Sequence, residues 1–237
     1  MYKAAIFDMD GTILDTLSDL CNAINYSFEK AGHKHDFTID ETKTLFGSGV
    51  DVAIKRGLAM EMGFTEDDLL SIGTDHECSK IKTDSSELSK IKAIYKPYYE
   101  ENCAIKTGPF PGINNVVENL RKAGIKTAVV SNKPNEAVLK LCETHFKNLF
   151  DVSIGEMEGV ARKPAKDMTL KAIESLNVSE SETVYIGDSE IDILTAKNAG
   201  LNCICVDWGF RSRDFLIRNN ATVIVSDAMD LFNEITK

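Results

Sequence analysis

Short runs of apolar residues without clean polar alternation recur along the chain, as is typical of buried parallel strands. The predicted strands are residues 4–7, 125–130, 152–154, 183–186, 203–206 and 222–225. Apolar positions at helical spacing separate most of them, for example after Pro134 and after Pro164, where proline suits a first helical turn. Another helix is expected from Ile191 to Ala199, ended by Gly200. This alternation predicts an α/β fold with an open, doubly wound, mainly parallel sheet, as in a Rossmann-like core.

A long helical stretch interrupts the alternation after the first strand. Between Thr12 and the strand at 125 lies far more chain than the roughly 30 residues that a strand–helix–strand unit needs. We therefore predict an α/β core of residues 1–14 and 97–237 and an inserted all-helical cap of residues 15–96. Open α/β sheets bind ligands at the carboxyl ends of their strands, so a cap inserted there is expected to act as a lid. A second packing domain without functional motion is the alternative.

Composition and charge narrow the function classes. The chain is 43% apolar and 27% charged, as in ordinary globular domains. Its net charge of −10 argues against a nucleic-acid partner, although a local pocket can still bind a small anion. No apolar stretch approaches a membrane span and no signal peptide is evident, so we expect no membrane association. Six cysteines without Cys-x-x-Cys spacing predict reduced thiols and a cytoplasmic location.

The strongest chemical signal directly follows the first strand, in residues 7–12, Phe-Asp-Met-Asp-Gly-Thr. Asp8 and Asp10 point to the same side of an extended chain, and two like charges there are costly unless a cation or a reaction uses them. Gly11 permits a sharp turn. Taken alone, the motif is also compatible with an acidic turn at a strand end.

Further polar groups fall at corresponding places along the predicted sheet. Ser131 can donate to a phosphate oxygen near a predicted helix start, a role compatible with N-capping. Lys163 precedes Pro164 at another predicted helix start, where a cation is unfavourable, so we expect an anionic partner, although an exposed turn lysine would need none. Asp188 ends a buried strand, and Asp192 follows one helical turn later. Such oxygen-rich clusters suit Mg²⁺.

In this order, these segments resemble the motifs of the haloacid dehalogenase superfamily, in particular its phosphatase branch with a helical cap inserted after the first motif. The resemblance spans essentially the whole chain. Flanking segments are similar to the phosphoglycolate phosphatase group, namely residues 46–50 (Phe-Gly-Ser-Gly-Val), 161–164 (Ala-Arg-Lys-Pro) and 207–211 (Asp-Trp-Gly-Phe-Arg). The resemblance implies a Mg²⁺-dependent phosphatase for a small phosphorylated metabolite, as a monomer or homodimer. Sugar-phosphate mutase and pyrophosphatase activities are alternatives on the same core.

The resemblance also implies catalytic roles. Asp8 would be the nucleophile that forms an aspartyl-phosphate, and Asp10 the general acid and then the general base. Halide needs no proton on leaving, so the presence of Asp10 favours phosphoryl chemistry over dehalogenation. Ser131 and the backbone of Asn132 would hold the phosphoryl oxygens, while Lys163 would neutralise charge on the nucleophile and the phosphate.

The resemblance also implies which residues hold the metal and orient the loop. Asp8, the backbone carbonyl of Asp10, and Asp188 would bind Mg²⁺, with Asp192 as an auxiliary acidic group. Thr12 would orient the loop.

Substrate choice is expected to depend on the cap. The loop formed by Gly47, Ser48 and Gly49 could approach the substrate closely, and Arg56 could meet an anionic tail, with an exposed helix residue as the alternative for Arg56. Trp208 is expected to anchor a loop.

Overall fold

The computed structural model describes residues 1–74, 76–147 and 149–237. The strands are β1 (Ala4–Phe7), β2 (Leu14–Asp15), β3 (Gly108–Pro109), β4 (Lys126–Pro134), β5 (Val152–Glu156), β6 (Thr183–Gly187), β7 (Asn202–Val206) and β8 (Val223–Val225). The helices are α1 (Leu17–Ala31), α2 (Ile39–Leu45), α3 (Val50–Glu61), α4 (Glu66–Ser71), α5 (Ser85–Asn102), α6 (Ile113–Lys122), α7 (Asn135–Phe146), α8 (Asp167–Leu176), α9 (Glu190–Asn198), α10 (Arg213–Arg218) and α11 (Ala228–Thr236). A short 3₁₀ helix, Glu180–Glu182, precedes β6.

Six strands form one parallel sheet in the order β5-β4-β1-β6-β7-β8, which confirms the predicted fold class. All four residues of β1 are fully buried, so both faces of this central strand are covered. β4 and β5 lie on one side of β1 in the sheet, and β6, β7 and β8 lie on the other side. The carboxyl end of β1 is therefore a topological switch point, where open α/β sheets form ligand sites.

One face of the sheet packs against α8 and α9. Ala4 and Ile6 of β1 lie on this face, because alternate residues of a strand point the same way. The apolar cluster there also includes Val130 of β4 and, from the two helices, Met168 and Ala196. This packing fixes the strand ends from which the polar loops emerge.

The predicted strands are all present, but two helix starts were predicted wrongly. β4 continues through Pro134, so α7 begins at Asn135 with Pro134 as its N-cap residue. α8 begins at Asp167, well after Pro164. Lys163 therefore does not stand at a helix start, and the expected conflict with a helix dipole does not arise.

The chain divides into two compact units, one of Met1–Asp15 with Gly108–Lys237, and one of Thr16–Thr107. The predicted boundary at residue 96 is wrong, because it falls inside α5, which contains Pro97 and runs to Asn102. The helical unit continues beyond α5 to Thr107. Asp19 of α1 accepts hydrogen bonds from the backbone N–H groups of Lys106 and Thr107, which ties this segment to α1.

In the second unit, every regular element among the described residues is a helix, from α1 to α5. Tyr26 of α1 stacks on Tyr98 of α5 with ring centroids 4.0 Å apart. The short helices α2 and α4, which were not predicted from the sequence, begin at Ile39 and Glu66, with Thr38 and Thr65 as N-cap residues in capping boxes.

All six cysteines are free thiols, as predicted. None of the helices in the described ranges combines the length and the apolar character that crossing a membrane requires.

Candidate active site

The loop after β1 turns sharply beneath the end of β6. Asp8 N donates to the Ile186 carbonyl at 2.8 Å, and Gly11 N donates to the Leu14 carbonyl at 3.0 Å. Gly11 adopts a positive φ of 81°, and a Cβ atom at this position would collide with the Asp188 carboxylate. Glycine is therefore required here both for the backbone conformation and for the close approach of Asp188.

Lys163 joins two of the predicted acidic residues. Its Nζ atom lies 2.7 Å from Asp8 Oδ1 and 2.9 Å from Asp192 Oδ1, and its side chain is 2% exposed. Burial opposes the charged ammonium, but the Asp192 and Asp8 carboxylates outweigh it and hold the pKa of Lys163 well above its ordinary value. The anionic partners expected for this lysine are thus Asp8 and Asp192.

Asp192 is held in place by the start of α9. Its Oδ2 atom accepts hydrogen bonds from the Asp188 N–H at 3.2 Å, the Ser189 N–H at 3.1 Å and the Ser189 hydroxyl at 2.7 Å. Because its Oδ1 atom bonds to Lys163, both oxygens are engaged. The geometry suits Asp192 to positioning Lys163 and the Asp188 backbone, in line with the auxiliary role expected from the sequence.

Asp188 is oriented by donors from two other loops. Its Oδ1 atom accepts from the Thr12 hydroxyl at 2.9 Å, and its Oδ2 atom accepts from the Phe210 N–H at 2.7 Å. The Thr12 carbonyl in turn accepts from Trp208 Nε1 at 3.1 Å. Thr12 therefore links the first motif to Asp188, and Trp208 anchors Thr12.

Burial and mutual repulsion shift the two central carboxyl groups toward the neutral form. Burial, followed by the nearby Asp192 charge, raises the pKa of Asp8 well above its ordinary value, although Lys163 opposes this. Burial and Asp192 also raise the pKa of Asp188 to about 7, against the lowering effect of the bonds from Phe210 and Thr12. A nearby cation would therefore favour the ionised form of both carboxyl groups.

The clustered carboxyl groups suit a hard divalent cation. Oxygens of Asp8, Asp188 and Asp192 all lie within 4.8 Å of one another in the protein interior. Counted with Asp10, four carboxyl groups stand near two ammonium groups, those of Lys133 and Lys163. Carboxylate oxygens in this number and spacing fit Mg²⁺, with Asp8 and Asp188 as the side chains suited to hold it.

The irregular carboxyl end of β4 contains two further predicted residues, Ser131 and Asn132. Ser131 is buried, and its Oγ atom accepts from the Lys133 N–H at 3.2 Å. The Asn132 side chain accepts from the Lys163 N–H at 2.9 Å and donates to the Lys163 carbonyl at 3.0 Å. These two bonds hold the Lys163 segment beside the end of β4, a side-chain role that was not predicted for Asn132.

Two charged pairs near these loops were also missed. Lys133 Nζ lies 3.1 Å from Asp10 Oδ1. Glu190 and Arg211, both buried, form a two-point pair with Nε–Oε2 at 2.8 Å and Nη2–Oε1 at 3.1 Å. Lys133 follows Ser131 by two positions in the same motif, and this proximity could have marked Lys133 as a site residue. No local sequence pattern marks the Glu190–Arg211 pair.

The prediction that Arg56 binds an anionic substrate group is wrong, and so is its alternative of an exposed helix residue. Arg56 is completely buried. Its guanidinium donates to the Leu69 carbonyl at 2.9 Å and the Thr44 carbonyl at 3.1 Å. Further bonds reach the carbonyls of Leu45, Phe46, Leu70 and Ile72. The side chain thus caps the carboxyl ends of α2 and α4.

The loop of Gly47, Ser48 and Gly49 leads into α3. Gly47 and Gly49 have positive φ angles, and the Ser48 hydroxyl accepts from Arg56 Nη2 at 3.4 Å. Arg56 therefore supports this loop from within the helical unit. Its contact with substrate stays a prediction.

The chain is similar to known proteins over nearly its whole length. A phosphoglycolate phosphatase from Psychrobacter arcticus is 27% identical over 233 residues, covering 98% of this chain and 95% of the relative. A Caldanaerobacter subterraneus protein provisionally assigned as a pyrophosphatase is 29% identical, with 96% and 92% of the two chains covered. The crystal structure of a Lactobacillus delbrueckii protein, provisionally assigned as a phosphoglycolate phosphatase, is similar with a TM-score of 0.95, 52% identity and 99% and 98% coverage.

The match to a defined protein family covers most of the chain. Residues 5–206 match the haloacid dehalogenase-like hydrolase family, a range that runs from β1 to β7 and includes every residue of the acidic cluster and Lys163. The chain therefore belongs to the haloacid dehalogenase-like hydrolases.

Proposed function

We propose that this hydrolase is a Mg²⁺-dependent phosphatase that cleaves a small phosphomonoester through an aspartyl-phosphate on Asp8. The observation that carries the proposal is the buried cluster of Asp8, Asp188 and Lys163 at the switch point of the sheet. A carboxylate is a weak nucleophile, so it needs neighbouring positive charge and a held substrate. Lys163 supplies a fixed charge 2.7 Å from Asp8.

The proposed reaction has two displacements at phosphorus. In the first, a carboxylate oxygen of Asp8 forms a bond to phosphorus, the bond to the leaving alcohol oxygen breaks, and Asp10 gives that oxygen its proton. In the second, a water oxygen attacks phosphorus and gives a proton to Asp10, and the bond to Asp8 breaks. One water is consumed, one alcohol and one phosphate are released, and both aspartates return to their starting forms.

The fixed groups of the pocket stabilise the charge that develops on the phosphoryl oxygens. The Ser131 hydroxyl and the backbone N–H of Asn132 are proposed to donate to these oxygens, while Lys163 balances charge on Asp8 and on the phosphoryl group. Mg²⁺ held by Asp8, Asp188 and the Asp10 carbonyl would supply additional positive charge. Preorganised electrostatic groups of this kind commonly provide the largest share of rate acceleration.

Phosphoglycolate is the first candidate substrate, because phosphoglycolate phosphatases are among the relatives with near-complete coverage. Pyrophosphate is the second, since a protein provisionally assigned as a pyrophosphatase shows 29% identity. Both substrates present a terminal phosphoryl group next to further negative charge.

A cytoplasmic location is proposed as well, and the free cysteines are consistent with it.

The proposal is tested by phosphate release from phosphoglycolate, pyrophosphate and several sugar phosphates, with Mg²⁺ and with a chelator. Asp8→Asn removes the nucleophile with little change in shape, and Asp214→Asn in α10 is an exposed control. We expect Mg²⁺-dependent release by the wild-type protein and by Asp214→Asn, and a loss of at least about 10³-fold in Asp8→Asn. Equal activity of Asp8→Asn and wild type would reject the nucleophile assignment.

A trapping experiment separates covalent catalysis from direct attack by water. Acid quenching during turnover of labelled substrate is expected to leave one acid-stable, hydroxylamine-sensitive phosphoryl group on wild-type protein and none on Asp8→Asn. Turnover by the wild-type protein without any such label would contradict the aspartyl-phosphate intermediate.

A further inference from the structure

Lys133 is a buried lysine beside the proposed acid–base residue, and it has no role in the mechanism described above. Its side chain is 4% exposed, and its Nζ atom lies 3.1 Å from Asp10 Oδ1. Lysine is rarely buried to this extent unless it is paired. The burial of Lys133 is therefore explained by the ion pair of its ammonium group with Asp10, and not by packing of its apolar methylene groups alone.

The backbone around Lys133 aims the side chain at this position. The pairing of β4 with β5 shifts register between Val130 and Pro134, and Lys133 lies within that irregular stretch. Its N–H donates to Ser131 Oγ at 3.2 Å. Irregular strand segments commonly redirect a side chain next to an active site. Here the redirected side chain meets Asp10, which comes from the neighbouring strand loop.

The ion pair between Lys133 and Asp10 also determines which oxygen of the Asp10 carboxyl group is exposed. The Asp10 side chain is 19% exposed, yet its Oδ1 atom is buried and forms no hydrogen bond of good geometry with any residue in the described ranges. The exposed surface therefore lies on the other atoms of the side chain. With the Lys133 ammonium beside Oδ1, the carboxyl group is held in one rotational position.

We propose that Lys133 is a positioning residue for Asp10, holding its carboxyl group so that the outer oxygen can exchange a proton with the leaving group and with water. This inference rests on the proposed function, because it concerns the acid–base step of that reaction. Proton transfer depends strongly on the placement of the donor, and a displaced acid loses part of its effect.

The distinguishing measurement compares two substrates in one enzyme preparation. A simple alkyl phosphate has a poor leaving group that needs a proton, whereas p-nitrophenyl phosphate has a good leaving group that needs little help. The ratio of their kcat/KM values reports the proton transfer. The fraction of folded enzyme cancels in this ratio, so a partly unstable variant still gives an interpretable result.

For Lys133→Met we expect the alkyl phosphate to lose about 10-fold more in kcat/KM than p-nitrophenyl phosphate, as a partial loss of an acid–base contribution worth about 10²–10⁴-fold. Lys133→Arg should restore much of the ratio because it keeps a cation near Asp10. Lys133→Gln, which keeps a polar group at this position, serves if the methionine variant does not fold. Equal losses on both substrates, or no loss, would show that Lys133 acts on the phosphoryl group or only on the fold, and would overturn the inference.

Further variants separate this inference from the function on which it rests. Asp10→Asn should show the full leaving-group selectivity, and adding Lys133→Met to it should not increase that selectivity, because both changes affect one step. Lys171→Met, at an exposed position of α8, should leave the ratio unchanged. If Asp10→Asn shows no selectivity, the acid–base assignment of Asp10 fails. If Asp10→Asn is selective and Lys133→Met is not, only the role of Lys133 fails.

Discussion

A single ammonium group bridges two carboxylates in this protein: Lys163 Nζ is 2.7 Å from Asp8 Oδ1 and 2.9 Å from Asp192 Oδ1. Asp188 lies beside this pair, and among the described residues the hydrogen-bond donors to its oxygens are two neutral groups, the Thr12 hydroxyl and the Phe210 N–H. Burial and the nearby Asp192 charge therefore raise the pKa of Asp188 to about 7.

Asp188 is expected to make the metal-free protein less stable as pH rises. Its pKa is raised to about 7 in the folded state, against roughly 3.9 in an unfolded chain, so the folded state binds more protons between these values. The free energy of unfolding should therefore fall across this window as pH increases. Asp188→Asn, which stays neutral, should be more stable than wild type at pH 8 and no more stable at pH 4.

Urea denaturation at both pH values, with and without Mg²⁺, measures this effect. Mg²⁺ should stabilise the wild-type protein at pH 8 and have much less effect on Asp188→Asn, since binding to the folded state alone raises stability. A wild-type protein that is as stable as Asp188→Asn at pH 8 without metal would contradict the prediction.

Trp208 provides an internal reporter of metal binding, because it is the only tryptophan of the chain. Its indole N–H donates to the Thr12 carbonyl, and the Thr12 hydroxyl donates to Asp188. A cation held by Asp188 should shift this connected set, so a Mg²⁺ titration is expected to give a saturable change in tryptophan emission. The change should be absent in Asp188→Asn. Calorimetric Mg²⁺ binding without any change in emission would show that Trp208 is not connected to the metal site.

Arg56 is expected to affect stability and not substrate binding. Arg56→Lys keeps the charge but loses the planar fork that donates to the carboxyl ends of α2 and α4, leaving buried carbonyls unpaired. We expect the free energy of unfolding to fall by about 3 kcal/mol, with KM for the best substrate unchanged. Arg121→Lys, at an exposed position, should cost less than about 0.5 kcal/mol. An increase in KM without a loss of stability would restore the original prediction that Arg56 binds substrate.

His33 is expected to make the helical unit more stable at low pH. Partial burial opposes its charged form, but hydrogen bonds to Glu87 at 3.0 Å and to Glu61 at 2.8 Å outweigh it and raise the pKa of His33. This stabilisation is complete below the unfolded pKa of about 6.5 and disappears as pH rises through the folded value. His33→Gln should therefore destabilise the protein more at pH 5.5 than at pH 8.5, as measured by thermal denaturation. His35→Gln is the matched exposed control, and an equal loss at both pH values would argue against a charged His33.

The strand ends could be predicted from the sequence because buried parallel strands leave a continuous apolar run, and polar groups that follow such runs must gather at one sheet edge. Asp8, Ser131 and Asp188 were located by this reasoning. Arg56 could not be, because its partners are backbone carbonyls, which every residue carries and no sequence pattern marks. Likewise, the role of Lys133 depends on a local irregularity in β4 that apolar periodicity does not reveal.

The central place of β1 in the sheet also has a consequence for how activity arises during synthesis. Its neighbours β4 and β6 follow far downstream in the sequence, so Asp8 cannot meet Asp188 until the ribosome has made β6. A fragment ending before β6 would contain Asp8, Asp10, Ser131 and Lys163 and still lack the cluster that suits a cation. Hydrolysis should thus switch on in a single late event and not grow gradually with chain length.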